Sequence, residues 1–245
     1  MPATTAPIRF TYPARDGLNI TAYRWDATSS ARGVVQLTHG MGEHVLRYDE
    51  LAAALNGRGF TVYGQDHRGH GASAASDAAL GQLGADGWGE LVNDIDLLVT
   101  RVRAEQPRLP LVLLGHSMGS FAVQQYLLDH SERVDAVALT GTAAIDLLEP
   151  ALDLDAQLDL AMFNAAFAPA RTDYDWLSRD PAQVDAYIAD PRCGFGLAER
   201  YRAAGLSDVS LHAYKGARHE VFNETNRGEV VADLLGWLDR VAPAR

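Results

Sequence analysis

A serine flanked by glycines is the residue whose surroundings point most directly to chemistry. Ser117 is the centre of Gly115-His116-Ser117-Met118-Gly119, between an apolar run that ends at Leu114 and a helix-like segment that starts at Ser120. A G-x-S-x-G turn between a strand and a helix holds a serine hydroxyl clear of the sheet. Glycines two positions either side remove the Cβ atoms that would keep strand and helix apart. The pattern therefore predicts that Ser117 is a nucleophile.

A serine nucleophile needs a neighbouring base, and eight histidines compete for that role. His219 follows the last strand-like run and precedes the final helix, which is the place of the base in chains that order serine, acid and histidine. His212 lies inside that strand-like run and is interpreted as a packing or surface residue. We expect His219 to be the general base. The alternative interpretation is a loop histidine that is bonded to its neighbours.

Two backbone N–H groups are predicted to stabilise the oxyanion of a tetrahedral intermediate. One belongs to Met118, directly after the serine. The other belongs to Met41, in the loop 39–44 that follows a predicted strand. Glycines on both sides of Met41 permit its N–H to turn toward Ser117. The alternative interpretation of this loop is an ordinary glycine-rich turn between a strand and a helix.

Clustered histidines raise a metal site as an alternative, because the loop 66–71 holds two of them and His39 and His44 lie in the loop before. We predict no metal, since no acidic or thiol partner stands at ligand spacing in the sequence. No cofactor is expected either, because an activated serine needs none. Arg68 is instead expected to pair with Glu43 and to join the two loops.

Strand-like and helix-like segments alternate along the chain and predict the scaffold for these residues. An antiparallel edge hairpin is predicted at 8–12 and 18–25. Further strands are predicted at 33–38, 60–65, 111–114 and 134–140, with helices at 48–58, 88–106 and 120–130. Apolar strands separated by helices predict an α/β fold with a mostly parallel sheet covered on both faces. Ligands bind such sheets beyond the carboxyl ends of the strands, where Ser117 lies.

The composition changes at about residue 143, where Asp and Ala become frequent and no strand is evident. We predict a helical insertion over the sheet at 143–196, between core segments 1–142 and 197–245. Its aromatic side chains line a substrate pocket or pack on the domain beneath, and both interpretations stay open. They are Phe163, Phe167, Tyr174 and Trp176. A helix at 197–204, a strand at 208–214 and a final helix at 225–241 are predicted to follow.

Length, charge and cysteine content limit the class of protein. The 245 residues fit one large α/β domain. A net charge of −11, without a block of Lys or Arg, argues against nucleic acid or an anionic membrane surface as the main partner. Cys193 is the single cysteine, which excludes an intramolecular disulfide. The first residues do not resemble a signal peptide, and we expect a soluble cytoplasmic protein. The sequence leaves the oligomeric state open.

Five motifs, in the family's order, resemble the monoacylglycerol lipase and lysophospholipase group of the α/β-hydrolases. They are HGMGEHVLRY at 39–48, DHRGHG at 66–71, GHSMG at 115–119, DPRC at 190–193 and RHEVFNE at 218–224. The resemblance implies an α/β-hydrolase fold, with Ser117 as nucleophile, His219 as base, and Met41 and Met118 as oxyanion donors. It also implies that 143–196 is a lid that admits a fatty-acyl chain and touches lipid or a membrane surface transiently. The implied activity is hydrolysis of monoacylglycerols or lysophospholipids.

One part of the family pattern is missing. Members carry the triad acid in a loop after a penultimate strand, whereas here the chain runs from Cys193 to Leu197 and into a helix-like segment without that strand or loop. Three interpretations stay open. A segment is missing from this sequence, Asp146 replaces the acid, or the protein has lost efficient catalysis. Loss of the acid lowers kcat by ~10⁴-fold and leaves some activity. The alternatives to a serine esterase are an acyl-ligand binding protein, or an acyltransferase or amidase on the same scaffold.

Overall fold

Six strands form one sheet in the computed structural model, which describes residues 6–143, 160–194, 214 and 216–242. The strands lie in the order β1-β2-β4-β3-β5-β6. They are β1 (Ile8–Pro13), β2 (Asn19–Trp25), β3 (Gly33–Thr38), β4 (Phe60–Gln65), β5 (Leu111–His116) and β6 (Ala136–Thr140). The predicted strands up to residue 140 are therefore all present. Strand β5 is two residues longer at its carboxyl end than expected.

The middle of the sheet is parallel and its edge is an antiparallel hairpin. Strand β3 pairs parallel with both neighbours, so that Val35 lies beside Val62 on β4 and Val112 on β5. Strand β6 extends the parallel set on the far side of β5. Strands β1 and β2 form the hairpin, and β2 pairs antiparallel with β4. Every residue of β3, β4 and β5 is buried, which explains why their sequences are almost continuously apolar.

Helices cover both faces of the sheet, as predicted. They are α1 (Asp49–Asn56), α2 (Gly87–Glu105), α3 (Met118–His130), α4 (Pro181–Ala189) and α5 (Arg227–Val241). Helices α2 and α3 bury one face against residues such as Val34 and Leu113. Helices α1 and α5 bury the other face, where Leu235 and Leu238 of α5 join one core with Trp25 of β2. The sheet is therefore shielded from water on both sides.

Helix α5 is tied to the amino-terminal half of the chain by charge as well as by apolar packing. The Asp239 carboxylate binds the guanidinium groups of Arg32, just before β3, and Arg58, just before β4. The Arg32 guanidinium also lies over the Phe60 ring, 4.6 Å from its centroid. The last helix therefore completes a core face whose other members are residues of 23–62, Val112 and Leu114 of β5, and Phe222.

The described part of the predicted insertion contains two helices, joined by turns and irregular segments. A 3₁₀ helix covers Leu160–Phe167, and α4 starts with Pro181 behind Asp180, whose carboxylate accepts the Ala182 N–H at 3.1 Å. The helix predicted at 197–204 and most of the strand predicted at 208–214 lie outside the described residues. So do Asp146 and the connection after Gly194 where the acid loop is expected to be missing. Among the described residues, no helix is long and apolar enough to cross a bilayer.

Candidate active site

The turn after β5 presents Ser117 at the carboxyl edge of the sheet. Strand β5 ends at His116 and α3 begins at Met118, so Ser117 alone makes the turn. Its φ is 51° and its ψ is −122°, a strained conformation for a residue with a Cβ. Ser117 is also the one partly exposed residue between 111 and 120, where all the others are buried. The chain therefore lifts this hydroxyl out of the core.

The two glycines of the motif permit close approach of backbone on both sides of the turn. A Cβ on Gly115 would lie 2.7 Å from the Ser120 Cα. A Cβ on Gly119 would lie 2.2 Å from the Thr38 carbonyl oxygen, at the end of β3. Real Cβ atoms essentially never come this close to backbone, so neither position accepts a side chain without a shift of the main chain.

The loop after β3 lies directly against the serine. A Cβ on Gly40 would be 3.1 Å from the Ser117 Cβ. Gly42, with φ of 66°, lets the chain reverse direction around Met41. In the part of the chain that the structure describes, no hydrogen bond outside the helices and strands uses the N–H of Met41 or Met118. An N–H in the first turn of a helix such as α3 also has no partner within that helix. Both N–H groups are therefore available to a ligand oxygen.

His219 lies at the same end of the sheet. Its ring centroid is 4.8 Å from that of His116, the residue before the serine, and 5.0 Å from that of Trp176. A Cβ on Gly141, just after β6, would lie 2.9 Å from the Cε1 atoms of both histidines. Burial, followed by the neighbouring His116, lowers the pKa of His219 to about 4. The imidazole is therefore neutral at pH 7 and able to accept a proton.

The carboxylates nearest to His219 are engaged elsewhere. Glu220 and Glu43 act on its charge from nearby, but both carboxylates bind Arg47. Within the described ranges, no carboxylate makes a hydrogen bond to the His219 ring. Asp146, the acid candidate from the sequence, lies outside those ranges. The identity of an orienting acid is therefore still a prediction. The four predicted site residues, Ser117, His219, Met41 and Met118, lie at the same end of the sheet, and their roles are predictions as well.

A buried ion network connects the loop after β3 to the loop that carries His219. Arg47 donates to both oxygens of Glu220, at 2.5 and 2.9 Å, and to Glu43 at 2.8 Å. Glu43 in turn accepts from the Gly40 N–H at 2.6 Å and from the Tyr48 hydroxyl at 2.8 Å. The Arg47 guanidinium therefore fixes the position of the loop beside Ser117 relative to Glu220, the residue after the candidate base.

The two carboxylates of this network respond differently to burial. Burial raises the pKa of Glu43, and the charge of Arg47 offsets only part of that effect. Burial also acts on Glu220, but the charge and hydrogen bonds of Arg47, with a bond from Asn223, outweigh it and hold the pKa below its usual range. The bidentate pairing with Glu220 explains the difference. Arg47–Glu220 is thus the tighter of the two pairs.

Replacing Arg47 by methionine should destabilise the fold by about 3–5 kcal/mol, because two buried carboxylates lose their cation. Urea unfolding at pH 7 measures the loss. Arg47→Lys keeps the charge but not the two-pronged geometry and should lie between the wild type and Arg47→Met. Lowering the pH from 7 to 5 should reduce the gap between Arg47→Met and the wild type, because burial raises the pKa of Glu43 and loss of the Arg47 charge in the variant raises it further, which favours the protonated, uncharged carboxyl. A gap that stays the same at both pH values would contradict this account.

Arg68 does not pair with Glu43, and that prediction was wrong. The Arg68 guanidinium binds Asp94 of α2 through two bonds, at 2.8 and 3.2 Å, and Asp16 at 2.9 Å. Glu43 already receives the three donors of the loop network. The loop 66–71 is instead fixed to the loop after β3 by Asp66, which accepts the Val45 N–H at 3.0 Å.

Three histidines behind the site are structural. The His39 Nδ1–H donates to the Gly40 carbonyl at 2.7 Å, and its Nε2 accepts the His67 N–H at 3.0 Å. His67 Nε2–H donates back to the His39 carbonyl, and His70 Nδ1–H donates to the Arg68 carbonyl. Because carbonyl oxygens only accept, these bonds fix the neutral tautomer of each ring. The three rings thus serve as buried, uncharged connectors.

These buried histidines predict that acid destabilises the protein. Burial lowers the pKa of His67 to about 3 and of His70 to about 4, and places that of His39 well below its usual value. In the unfolded chain each takes up a proton below about pH 6.5. In the folded state His67 and His70 do not take up a proton until about pH 3–4, and the pKa of His39 also lies well below its usual value. The stability that these three histidines contribute is therefore fully present above pH 6.5 and decreases as the pH falls below that value.

Each histidine contributes a slope of up to about 1.4 kcal/mol per pH unit. Asp94 acts in the opposite direction. Burial raises its pKa to about 6 despite the neighbouring Arg68, so the folded state binds one proton that the unfolded chain does not bind at this pH. The net expectation is that the free energy of unfolding decreases between pH 6.5 and 5. Urea titrations at several pH values measure that slope. A free energy that is constant or rises toward pH 5 would contradict the neutral assignment.

His44 has partners that the sequence did not indicate. Its Nε2 lies 2.8 Å from an Asp190 carboxylate oxygen, and the Cys193 thiol is in the same cluster. The expectation that no acidic or thiol group accompanies these histidines was wrong for His44. Asp190 is 146 residues away in sequence. Only folding brings these groups together.

The aromatic residues of 160–194 pack and also border the site. Trp176 is 8% exposed and forms a cluster with Leu177 and Tyr187, against which Met41 packs. The Trp176 ring also faces His219, while its Nε1 is buried and has no hydrogen-bond partner among the described residues. Phe163 is 41% exposed on the outer side of Trp176. The packing interpretation is therefore confirmed at Trp176, and the lining of a substrate pocket by these aromatic side chains is still a prediction.

Comparisons with known proteins place the chain among related sequences and folds. The family model described as serine aminopeptidase, S33 (Hydrolase_4), matches residues 29–200. Monoacylglycerol lipase of Mycolicibacterium smegmatis is 32% identical, over 91% of this chain and 93% of that protein. Human monoglyceride lipase is 29% identical, over 80% of this chain and 64% of the human protein.

Solved structures share the fold. A thermostable carboxyl esterase from Bacillus coagulans superposes with a TM-score of 0.82 at 22% identity, covering 98% of this chain and all of that one. A soluble variant of monoglyceride lipase from Saccharomyces cerevisiae gives a TM-score of 0.74 at 19% identity, covering 99% and 97%. The alignment with the Mycolicibacterium protein runs over 267 positions, which is more than the 245 residues here. Some residues of that protein therefore have no counterpart in this chain.

Proposed function

Because the chain belongs to the serine aminopeptidase S33 family, and within the α/β-hydrolases to the monoacylglycerol lipase-like group, we propose that it hydrolyses the ester bond of monoacylglycerols. The reaction passes through an acyl-enzyme on Ser117. The observation that carries the proposal is the strained, partly exposed Ser117, with the Met41 loop on one side and a neutral His219 nearby. The names of the relatives supply the substrate class.

In the proposed first step the Ser117 hydroxyl attacks the ester carbonyl carbon. Its proton moves to the ring of His219, which burial keeps neutral. The carbonyl oxygen becomes an oxyanion and accepts hydrogen bonds from the N–H groups of Met41 and Met118. The His219 proton then passes to the glycerol oxygen as the ester bond breaks. The fatty-acyl group stays on the serine.

In the second step water replaces the glycerol. His219 takes a proton from the water, the hydroxide attacks the acyl carbonyl, and the same two N–H groups hold the oxyanion again. Collapse releases the fatty acid and returns the proton to Ser117. An acid that orients His219 would raise the rate, and Asp146 is still a candidate for that role. This mechanism needs no cofactor.

We propose that residues 143–196 form a lid that receives the acyl chain and touches lipid transiently. Exposed apolar side chains in the described part of this segment support the idea, since Phe163 is 41% and Ile188 47% exposed. Trp176, between Phe163 and His219, would form the wall where the chain enters. The division into 1–142, 143–196 and 197–245 and the cytoplasmic location expected from the sequence are proposals of the same kind.

A substrate panel tests the proposal. Purified protein is assayed with a long-chain monoacylglycerol, a lysophospholipid, a short-chain nitrophenyl ester and a peptidyl amide. We expect the highest kcat/KM with the monoacylglycerol and labelling of Ser117 by a fluorophosphonate. Cleavage of the amide above all esters would favour the amidase alternative. Tight fatty-acid binding without cleavage of any ester would favour the binding-protein alternative. Neither alternative is favoured by the relatives.

A further inference from the structure

Three side chains with metal-binding atoms meet outside the catalytic residues. His44, Asp190 and Cys193 each offer one ligand atom, and these atoms all lie within 4.8 Å of one another. The His44 Nε2 and the Asp190 carboxylate are 2.8 Å apart. None of the three takes part in the proposed reaction. Imidazole, carboxylate and thiolate are together the ligand set of Zn²⁺ and related divalent ions.

The spacing suits one ion with little movement. Ligands around a tetrahedral Zn²⁺ at about 2.0–2.3 Å are separated by about 3.4 Å. The His44–Asp190 pair would open slightly and the thiol would close toward it. Three protein ligands leave one position for water. The observed hydrogen bond between His44 and Asp190 explains two of the three groups, but it gives no reason for the thiol to be beside them.

The local charge favours a cation. Asp49 and Asp66 interact electrostatically with His44, in addition to the neighbouring Asp190. Arg47 is near Cys193, but its charge is shared by Glu43 and Glu220. The charge of Arg192 also acts on Asp190 and Asp66, but its side chain is exposed, so solvent weakens its effect. The carboxylates around the cluster therefore outnumber the cations that could repel an ion.

Backbone hydrogen bonds hold the ligands in a fixed frame. The Gly194 N–H donates to the Gly42 carbonyl at 2.9 Å, which fastens the turn 190–194 to the loop after β3. Within the turn, the Cys193 N–H donates to the Asp190 carbonyl at 3.0 Å. Asp190 also accepts the Arg192 N–H at 2.9 Å through its other carboxylate oxygen, which leaves Oδ2 directed at His44. The ligand atoms are thus positioned before any ion arrives.

We propose that His44, Asp190 and Cys193 form a binding site for a divalent cation of the Zn²⁺ class. The thiol loses its proton to solvent when the ion binds, because thiolate is the ligand. The bound ion joins the turn 190–194 to the loop that holds Met41. This site is separate from the proposed reaction and does not depend on it.

Cobalt spectroscopy tests the site, because Co²⁺ takes the place of Zn²⁺ and is coloured. Stoichiometric Co²⁺ should give a thiolate-to-metal band in the near ultraviolet and tetrahedral bands in the visible, and added Zn²⁺ should remove them. Cys193→Ser should lose the thiolate band. His44→Asn and Asp190→Asn should each weaken Co²⁺ binding by at least about tenfold. His130→Asn, a histidine on α3 remote from the cluster, serves as the control and should bind like the wild type.

Thermal unfolding gives a second readout that does not need colour. Zn²⁺ should raise the Tm of the wild type and of His130→Asn but not that of Cys193→Ala, since only an intact site gains stability from the ion. Circular dichroism without metal checks that each variant is folded. Absence of a thiolate band at stoichiometric Co²⁺ would overturn the proposal. An equal Zn²⁺ effect on the Tm of the wild type and Cys193→Ala would overturn it as well.

Discussion

Replacing Ser117 by alanine should lower ester hydrolysis by at least about 10⁴-fold and abolish labelling by a fluorophosphonate. Alanine keeps the Cβ and therefore the backbone strain of the turn, but it removes the one atom that forms the acyl-enzyme. The fold should survive, because the Ser117 backbone bonds do not need the hydroxyl. Its N–H donates to the Thr140 carbonyl at 2.9 Å, and its carbonyl accepts the Ser120 N–H at 2.8 Å.

Two further variants make this test specific. Ser131→Ala changes an exposed serine in the short helix after α3 and should react like the wild type. His219→Gln should lose activity on the same scale, and the double variant Ser117→Ala/His219→Gln should lose little more, because the two residues act as a unit. Mass spectrometry of the labelled protein locates the adduct. An adduct that persists in Ser117→Ala, or full activity in that variant, would refute the assignment.

Replacing Gly119 by alanine should destabilise the protein by at least about 3 kcal/mol and inactivate it. The added Cβ would lie 2.2 Å from the Thr38 carbonyl oxygen and 2.4 Å from that of His39. Both are backbone atoms, so no side chain can rotate to make room. The start of α3 must move away from β3, and the N–H of Met118 moves with it. Urea unfolding and a fluorophosphonate assay measure the two effects.

The matched control is the same substitution in another helix. A Cβ on Gly236, inside α5, meets nothing within 4 Å. Gly236→Ala should therefore raise stability by about 0.5–1 kcal/mol, because alanine has the higher helix propensity. Opposite signs for the two glycine-to-alanine changes would show that close approach, and not helix propensity, controls Gly119. A mild effect at Gly119 would mean that the start of α3 can shift without cost.

Local pattern was enough to predict the sheet and the place of the serine. The apolar runs that became β3, β4 and β5 are buried along their whole length, so the sequence signal is continuous. The GHSMG motif carries its own geometry, because its glycines and its position after a strand leave few conformations. The two-residue error at the end of β5 arose because Gly115 and His116 look like a turn, yet pair with β6.

Side-chain partners across long sequence distances could not be predicted. Arg47 and Glu220 are 173 residues apart in the sequence. Arg68 likewise binds Asp94 and Asp16, which are 26 and 52 residues away, and not Glu43 as predicted. The meeting of His44 with Asp190 and Cys193 has the same origin. Spacing in a sequence reports neighbours on one element, while these contacts depend on how separate elements pack.

The packing of α5 has a consequence for synthesis of the chain on the ribosome. One face of the sheet is closed by Leu235 and Leu238, which come after every strand of the described sheet. The apolar side chains of that face, such as Trp25 and Phe60, are therefore covered only in part, by α1, until α5 has been made. His219 directly precedes this helix. A nascent chain thus acquires its candidate base and its last core face at the same stage of synthesis, so activity is not expected before this face of the sheet can close.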